Sequence, residues 1–136
     1  MSAALDTLTG LDKLADVARQ VVRDTPAPEP SVITIYPSQN ELTFQPPHQR
    51  DPVAALGTLL VWTHQLTGIT GRWTHTDDQQ LHVSFAGRGP GGVRIRVYGS
   101  IPFDFARGYV ALRAGGRESV TPDELYRLAL EIRKGQ

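Results

Sequence analysis

Apolar positions change period several times along the chain, and each change predicts an element. Leu11, Leu14, Ala15, Ala18, Val21 and Val22 recur at spacings of three and four, with Asp12, Asp16, Arg19 and Arg23 on the other side, as in an amphipathic helix. Thr9 and Gly10 can start this helix, or it begins as early as Ala3 with Gly10 weakening its middle. It stops before Thr25-Pro26-Ala27-Pro28-Glu29-Pro30, where three prolines in five residues favour an extended connector. The expected layout is one domain over residues 1–136. A helix at 1–24 is joined by the proline-rich linker 25–30 to a core at 31–136, and that helix docks on its own domain or on another copy.

The period then drops to two. Val32-Ile33-Thr34-Ile35-Tyr36 is β-branched, Pro37-Ser38-Gln39-Asn40 is turn chemistry, and Glu41-Leu42-Thr43-Phe44-Gln45 alternates, which predicts a hairpin with Leu42 and Phe44 inward. Asp51-Pro52 offers an N-cap and a first-turn proline for a helix over residues 52 to about 66, closed by a left-handed Gly68. Its apolar residues, Val53, Leu56, Leu59, Leu60, Val61, Trp62 and Leu66, cover more than half the circumference, so it should be central and mostly buried. Strands are expected near 69–76, 80–86 and 93–100, with further ones at 109–113 and after Gly115-Gly116. Thr121-Pro122-Asp123-Glu124 matches a capping box ahead of a last helix with Leu125, Leu128, Ala129, Leu130 and Ile132 on its apolar side.

The order helix, two strands, helix, three or more strands, helix predicts an α+β fold with three helices and an antiparallel sheet of about five to seven strands. This order resembles that of small dimeric secretion chaperones, in which helices flank a twisted antiparallel sheet. The resemblance is carried by element order alone and implies a fold, not a site.

Alternation also predicts which side chains share a face. Leu81, Val83 and Phe85 alternate with His82 and Ser84, and Val93, Ile95 and Val97 alternate with Arg94, Arg96 and Tyr98. If both apolar rows face one core, Phe85 falls opposite Val93 and Val83 opposite Ile95, with His82 opposite Arg96 and Ser84 opposite Arg94. The Asp77-Asp78-Gln79 turn brings the preceding strand alongside, Trp73 inward, Arg72 and Thr74 outward. The outward face then carries Arg72, Thr74, His82, Ser84, Arg94, Arg96 and Tyr98, with Arg88 at its rim.

Charge sharpens this picture only locally. The 136 residues carry zero formal net charge, so no global field favours nucleic acid or membrane. Yet residues 82–117 hold six arginines (88, 94, 96, 107, 113 and 117) against Asp104 and the adjoining Glu118, whereas the first thirty residues carry five acids against three bases. Arginine outnumbers lysine twelve to two, which points to a GC-rich coding sequence and dilutes the meaning of any cluster. An arginine- and tyrosine-bearing sheet face can track phosphates and stack a base. The competing expectation is a face left in water or covered by a helix, with Asp12 and Asp16 of the first helix pairing with the arginines.

Candidate chemistry is sparse. Without cysteine there are no disulfides, thiolate metal sites or cysteine nucleophiles. Gly87-Arg88-Gly89-Pro90-Gly91-Gly92 matches G-x-G-x-x-G, but a strand rather than a helix follows it, so it predicts a flexible hairpin loop and no dinucleotide site. His48, His64, His75 and His82 lack metal-ligand spacing, and His75 and His82 should point to opposite faces. Ser100 has no nucleophile elbow and no downstream histidine. The N-terminal stretch has no basic region ahead of an apolar run, and residues 53–62 fall short of the ~20 a membrane span requires.

The expectation is therefore a cytoplasmic, non-catalytic protein-interaction module without cofactor or metal. It should self-associate as a homodimer, or take a protein partner through its sheet or first helix. The alternative is a nucleic-acid-binding domain using Arg72, His82, Arg88, Arg94, Arg96 and Tyr98, and what separates the two is whether the arginine face is open and free of acidic cover. A third reading, an enzyme, needs a concave pocket where groups such as His75 or Asp104 converge.

Overall fold

The computed structural model describes residues 3–136. Its elements follow the expected order: α1 (Ala3–Asp24), β1 (Val32–Tyr36), β2 (Glu41–Gln45), α2 (Pro52–Thr63), β3 (Thr67–His75), β4 (Gln80–Arg88), β5 (Arg94–Pro102), β6 (Arg117–Ser119) and α3 (Pro122–Lys134). Three helices pack on one six-stranded sheet of order β1-β2-β5-β4-β3-β6. The fold is α+β as the periodicity implies, with one difference: β2 and β5 run parallel, so the sheet is mixed. Parallel neighbours need a crossover. Here α2 and the whole β3–β4 hairpin lie between the two strands.

All three helices lie on one side. Leu14, Ala18 and Val21 of α1, Leu56, Leu59 and Trp62 of α2, and Leu125, Leu128 and Ile132 of α3 are buried with the inward rows Leu42 and Phe44, Leu81, Val83 and Phe85, and Val93, Ile95 and Val97. Phe44 stacks on Trp62 with ring centroids 5.0 Å apart, joining sheet to central helix. The expected caps form: Asp51 accepts from the Val53 amide, and Thr121 and Glu124 exchange the two bonds of a capping box.

Several boundaries differ for physical reasons. α2 ends at Thr63, and Gly68, with φ of +61°, serves an irregularity near the start of β3 instead of capping the helix. The chain at 109–113 forms no strand. It turns at Gly108, where φ is +92°, and drops Ala106 and Val110 into the core. The expected strand after Gly116 is β6, held against β3 by the pairs Arg72↔Ser119, Trp73↔Glu118 and Thr74↔Arg117.

Candidate functional site: the open sheet face

Among the described residues, no helix covers the second face of the sheet. The expected parity holds, but the expected register is four residues off. His82 lies opposite Ser100, Ser84 opposite Tyr98 and Phe85 opposite Val97, so the pairings of His82 with Arg96 and of Ser84 with Arg94 do not form. The cause is the glycine segment. β4 runs on through Gly87 and Arg88, and the connection shrinks to a tight turn closed by the Gly89 amide on the Val93 carbonyl at 2.8 Å. A shift of an even number of residues leaves every side chain on its face, which is why the outward row survives the error.

From the edge inward, the outer face presents Val32, Thr34 and Tyr36 of β1; Glu41, Thr43 and Gln45 of β2; Arg94, Arg96, Tyr98 and Ser100 of β5; His82, Ser84, Ala86 and Arg88 of β4; Thr70, Arg72 and Thr74 of β3; and Arg117 and Ser119 of β6. The strands place five arginines there (72, 88, 94, 96 and 117) against one acid, Glu41. A shallow trough of about 480 Å³ runs across it, lined by Arg72, Thr74, His82, Ser84, Arg94 and Arg96 among others.

The arginines differ in how they are held. Arg94 meets Glu41 at 3.1 Å, Arg96 donates to Ser84 Oγ at 3.1 Å, and Arg88 donates to the Gly92 carbonyl at 3.2 Å. The guanidinium groups of Arg72 and Arg117 have no hydrogen-bond or ion-pair partner among the described residues. Arg88 and Arg94 form a cross-strand pair, and like charges set directly opposite on a sheet are unfavourable until something neutralises them. Asp12 and Asp16 do not supply that neutralisation: α1 packs with β1 and β2 on the opposite face, and Asp16 pairs with Arg19 at 2.7 Å.

Two rings sit in the middle of the face. Tyr98 and His82 are tilted at 44° with centroids 5.4 Å apart, and the Tyr98 hydroxyl donates to Gln45 Oε1 at 3.2 Å. Both are half-buried, so they form a small fixed aromatic step rather than a free-standing platform. Burial holds the His82 pKa below its ordinary 6.5, because desolvation disfavours the imidazolium. A histidine with a lowered folded-state pKa contributes full stability above the unfolded value, and that contribution is lost as pH falls through 6.5 toward the folded value. Thermal unfolding of wild type between pH 7.5 and 5.5 should therefore fall more steeply with acid than that of His82→Gln. Parallel curves would show that His82 is not a source of acid sensitivity.

His75 and Asp104 share no hydrogen bond or ion pair among the described residues. His75 is buried on the helix side, stacked on Phe103 with centroids 3.5 Å apart, and its ring nitrogens lie 3.0 Å from the Leu112 carbonyl and 3.3 Å from Gln79 Oε1. Asp104 is exposed and paired with Arg107 at 3.1 Å. Among the described residues no group of three His, Asp or Glu side chains could hold a metal ion, and no helix is long and apolar enough to cross a membrane.

Two members of the face and one of its ion pairs were not legible in sequence. Arg117 and Ser119 arrive on a three-residue strand too short to show alternation, and Glu41 reaches Arg94 only through the parallel β2–β5 pairing. A second concavity, about 760 Å³, lies between α2 and α3 and is largely apolar, with Leu60, Val61, Ile69, Tyr126 and Leu130 in its walls. No known protein-family model, curated protein or solved structure matches this chain.

Proposed function

We propose that this chain is a non-catalytic nucleic-acid-binding module that takes single-stranded RNA or DNA on its open sheet face. The observation that carries the reading is the uncovered arginine field, five guanidinium groups against one carboxylate with no helix above them. Cover by an acidic helix would have argued for a purely structural role, and α1 lies on the other side.

Spacing favours an extended polyanion over a single phosphate. Arg94 and Arg96, two residues apart on β5, have backbones ~6.6 Å apart, and Arg72, two strands away, lies roughly 10 Å further across the sheet. A flat face of this kind suits a single strand better than a duplex, because splayed bases can stack on Tyr98, His82 and guanidinium planes while phosphates meet the arginines. Threonine and serine hydroxyls between the arginines supply donors and acceptors for sugar and base edges.

Fluorescence anisotropy with labelled random single- and double-stranded oligonucleotides, at low and then physiological salt, tests the reading. Single-strand binding that weakens steeply with salt is expected, since phosphate contacts release counterions. Absence of binding at low salt would overturn it. A protein-binding module is then the second reading, favoured by the apolar concavity between α2 and α3 with its 52% exposed Tyr126.

A further inference from the structure

We propose that the chain forms a two-fold dimer by pairing β1 with the β1 of a second copy, sealed by antiparallel contact between the two α1 helices. β1 is the terminal strand of the sheet, and its sequence, Val-Ile-Thr-Ile-Tyr, contains no charge and no proline. Val32, Ile33 and Tyr36 are 46%, 42% and 39% exposed. Edge strands are ordinarily guarded against pairing by charges, prolines or brevity, and the far edge shows that guard: β6 is three residues, Arg-Glu-Ser. One open edge and one guarded edge make a closed pair instead of a filament.

The strand is self-complementary. A two-fold axis through Thr34, perpendicular to the sheet, sets Val32 opposite Tyr36 and Ile33 opposite Ile35 of the second copy, apolar on apolar in every pair flanking the axis. On the helix side, Ile33 and Ile35 floor an open groove of about 550 Å³ whose wall is Ala15, Ala18 and Val22 of α1. Pairing of the edges brings the two grooves together and closes them.

An independent feature of α1 matches the same axis. Asp12, Asp16, Arg19 and Arg23 are exposed and spaced four, three and four apart, so they form one stripe with acids in its first half and arginines in its second. Arg19 and Arg23 border the groove over β1. Two such helices meeting antiparallel match Asp12 with Arg23 and Asp16 with Arg19 in both directions, about a centre between Val17 and Ala18. That part of α1 lies near Thr34, because the groove residues of the helix flank the same two isoleucines. Distances agree: strands stand ~4.8 Å apart, so helices lying over the β1–β2 pair of each copy come roughly 10 Å from one another, a helix-packing separation. The present Asp16–Arg19 pair, with side chains 78% and 73% exposed, holds these residues only weakly and can exchange for the intermolecular ones.

Sedimentation velocity measures the outcome. Wild type is expected to run at twice its 14.9 kDa chain mass. Asp12→Arg/Asp16→Arg and Arg19→Asp/Arg23→Asp, each folded by circular dichroism because all four positions are exposed, should each be monomeric, and an equimolar mixture should regain the dimer. Ile33→Lys, which puts a charge on the edge, should also be monomeric. A monomeric wild type, charge variants that stay dimeric alone, or a mixture that fails to associate would overturn the proposal. None of these outcomes depends on whether the sheet face binds nucleic acid.

Discussion

Replacing Arg72, Arg94 and Arg96 together with alanine is expected to weaken single-strand binding about a hundredfold at low salt, taking on the order of 1 kcal/mol for each exposed charge contact and 1.4 kcal/mol per tenfold in Kd. The slope of log K against log salt should fall by about 2 at the same time, since each phosphate contact to a single strand contributes ~0.7. The three side chains are suited to the test because their removal leaves the core untouched: each points away from the helix layer, and Arg94 gives up only an ion pair with Glu41. Arg127→Ala/Arg133→Ala/Lys134→Ala removes the same net charge from α3 on the opposite side. It should leave the affinity within a few-fold of wild type. Equal losses in the two triple variants would mean that net charge, not the sheet face, governs binding.

Gly71→Ala is expected to be the most damaging small substitution in the sheet. A Cβ at Gly71 would lie 2.4 Å from the Val120 carbonyl oxygen and 2.5 Å from the Phe85 ring. One neighbour is backbone and the other is a fully buried aromatic, so neither can move cheaply. Phe85 sits directly across from Gly71 and fills the space its missing side chain leaves, while Val120 donates its amide to the Gly71 carbonyl at 3.1 Å just beyond β6. Overpacking of this kind costs about 2–3 kcal/mol, which for a chain of this size lowers Tm by roughly 10 °C. The softer response is for β6 to leave β3, carrying Arg117 and Ser119 off the open face, so binding should weaken although the added methyl group lies on the core side of the sheet. Gly99→Ala is the control: its Cβ would meet only Leu59 carbons at 3.5 Å or more, and its Tm should stay close to wild type. Similar Tm values for the two variants would contradict the close approach described at Gly71.

How much could be read from sequence follows from which signals are local. Alternation of Leu81-His82-Val83-Ser84-Phe85 and of Arg94 through Tyr98 assigns faces correctly, because a period of two is intrinsic to a strand and needs no partner. Register is not intrinsic. It depends on where the connection begins, and Gly87 and Arg88 extend β4 although a glycine-rich segment reads as loop. The β2–β5 contact joins residues about fifty apart with a parallel pairing that leaves no mark in either strand, so Glu41 could not be matched with Arg94 in advance. The openness of the face rests on a similar long-range choice. α1 has one apolar stripe whichever side of the sheet it covers, and only the docking of Leu14, Ala18 and Val21 into the core beside Ile33 and Ile35 decides it.

The measurement closest to the central claim is a nitrogen–proton correlation titration of the labelled chain with a short single-stranded oligonucleotide, which reports where a ligand sits as well as whether it binds. The account predicts that shifts concentrate on outer-face positions such as Thr74, Ser84, Arg96 and Tyr98, with the walls of the α2–α3 concavity unchanged. Shifts confined to Leu60, Tyr126 and Leu130, or none at low salt, would contradict it.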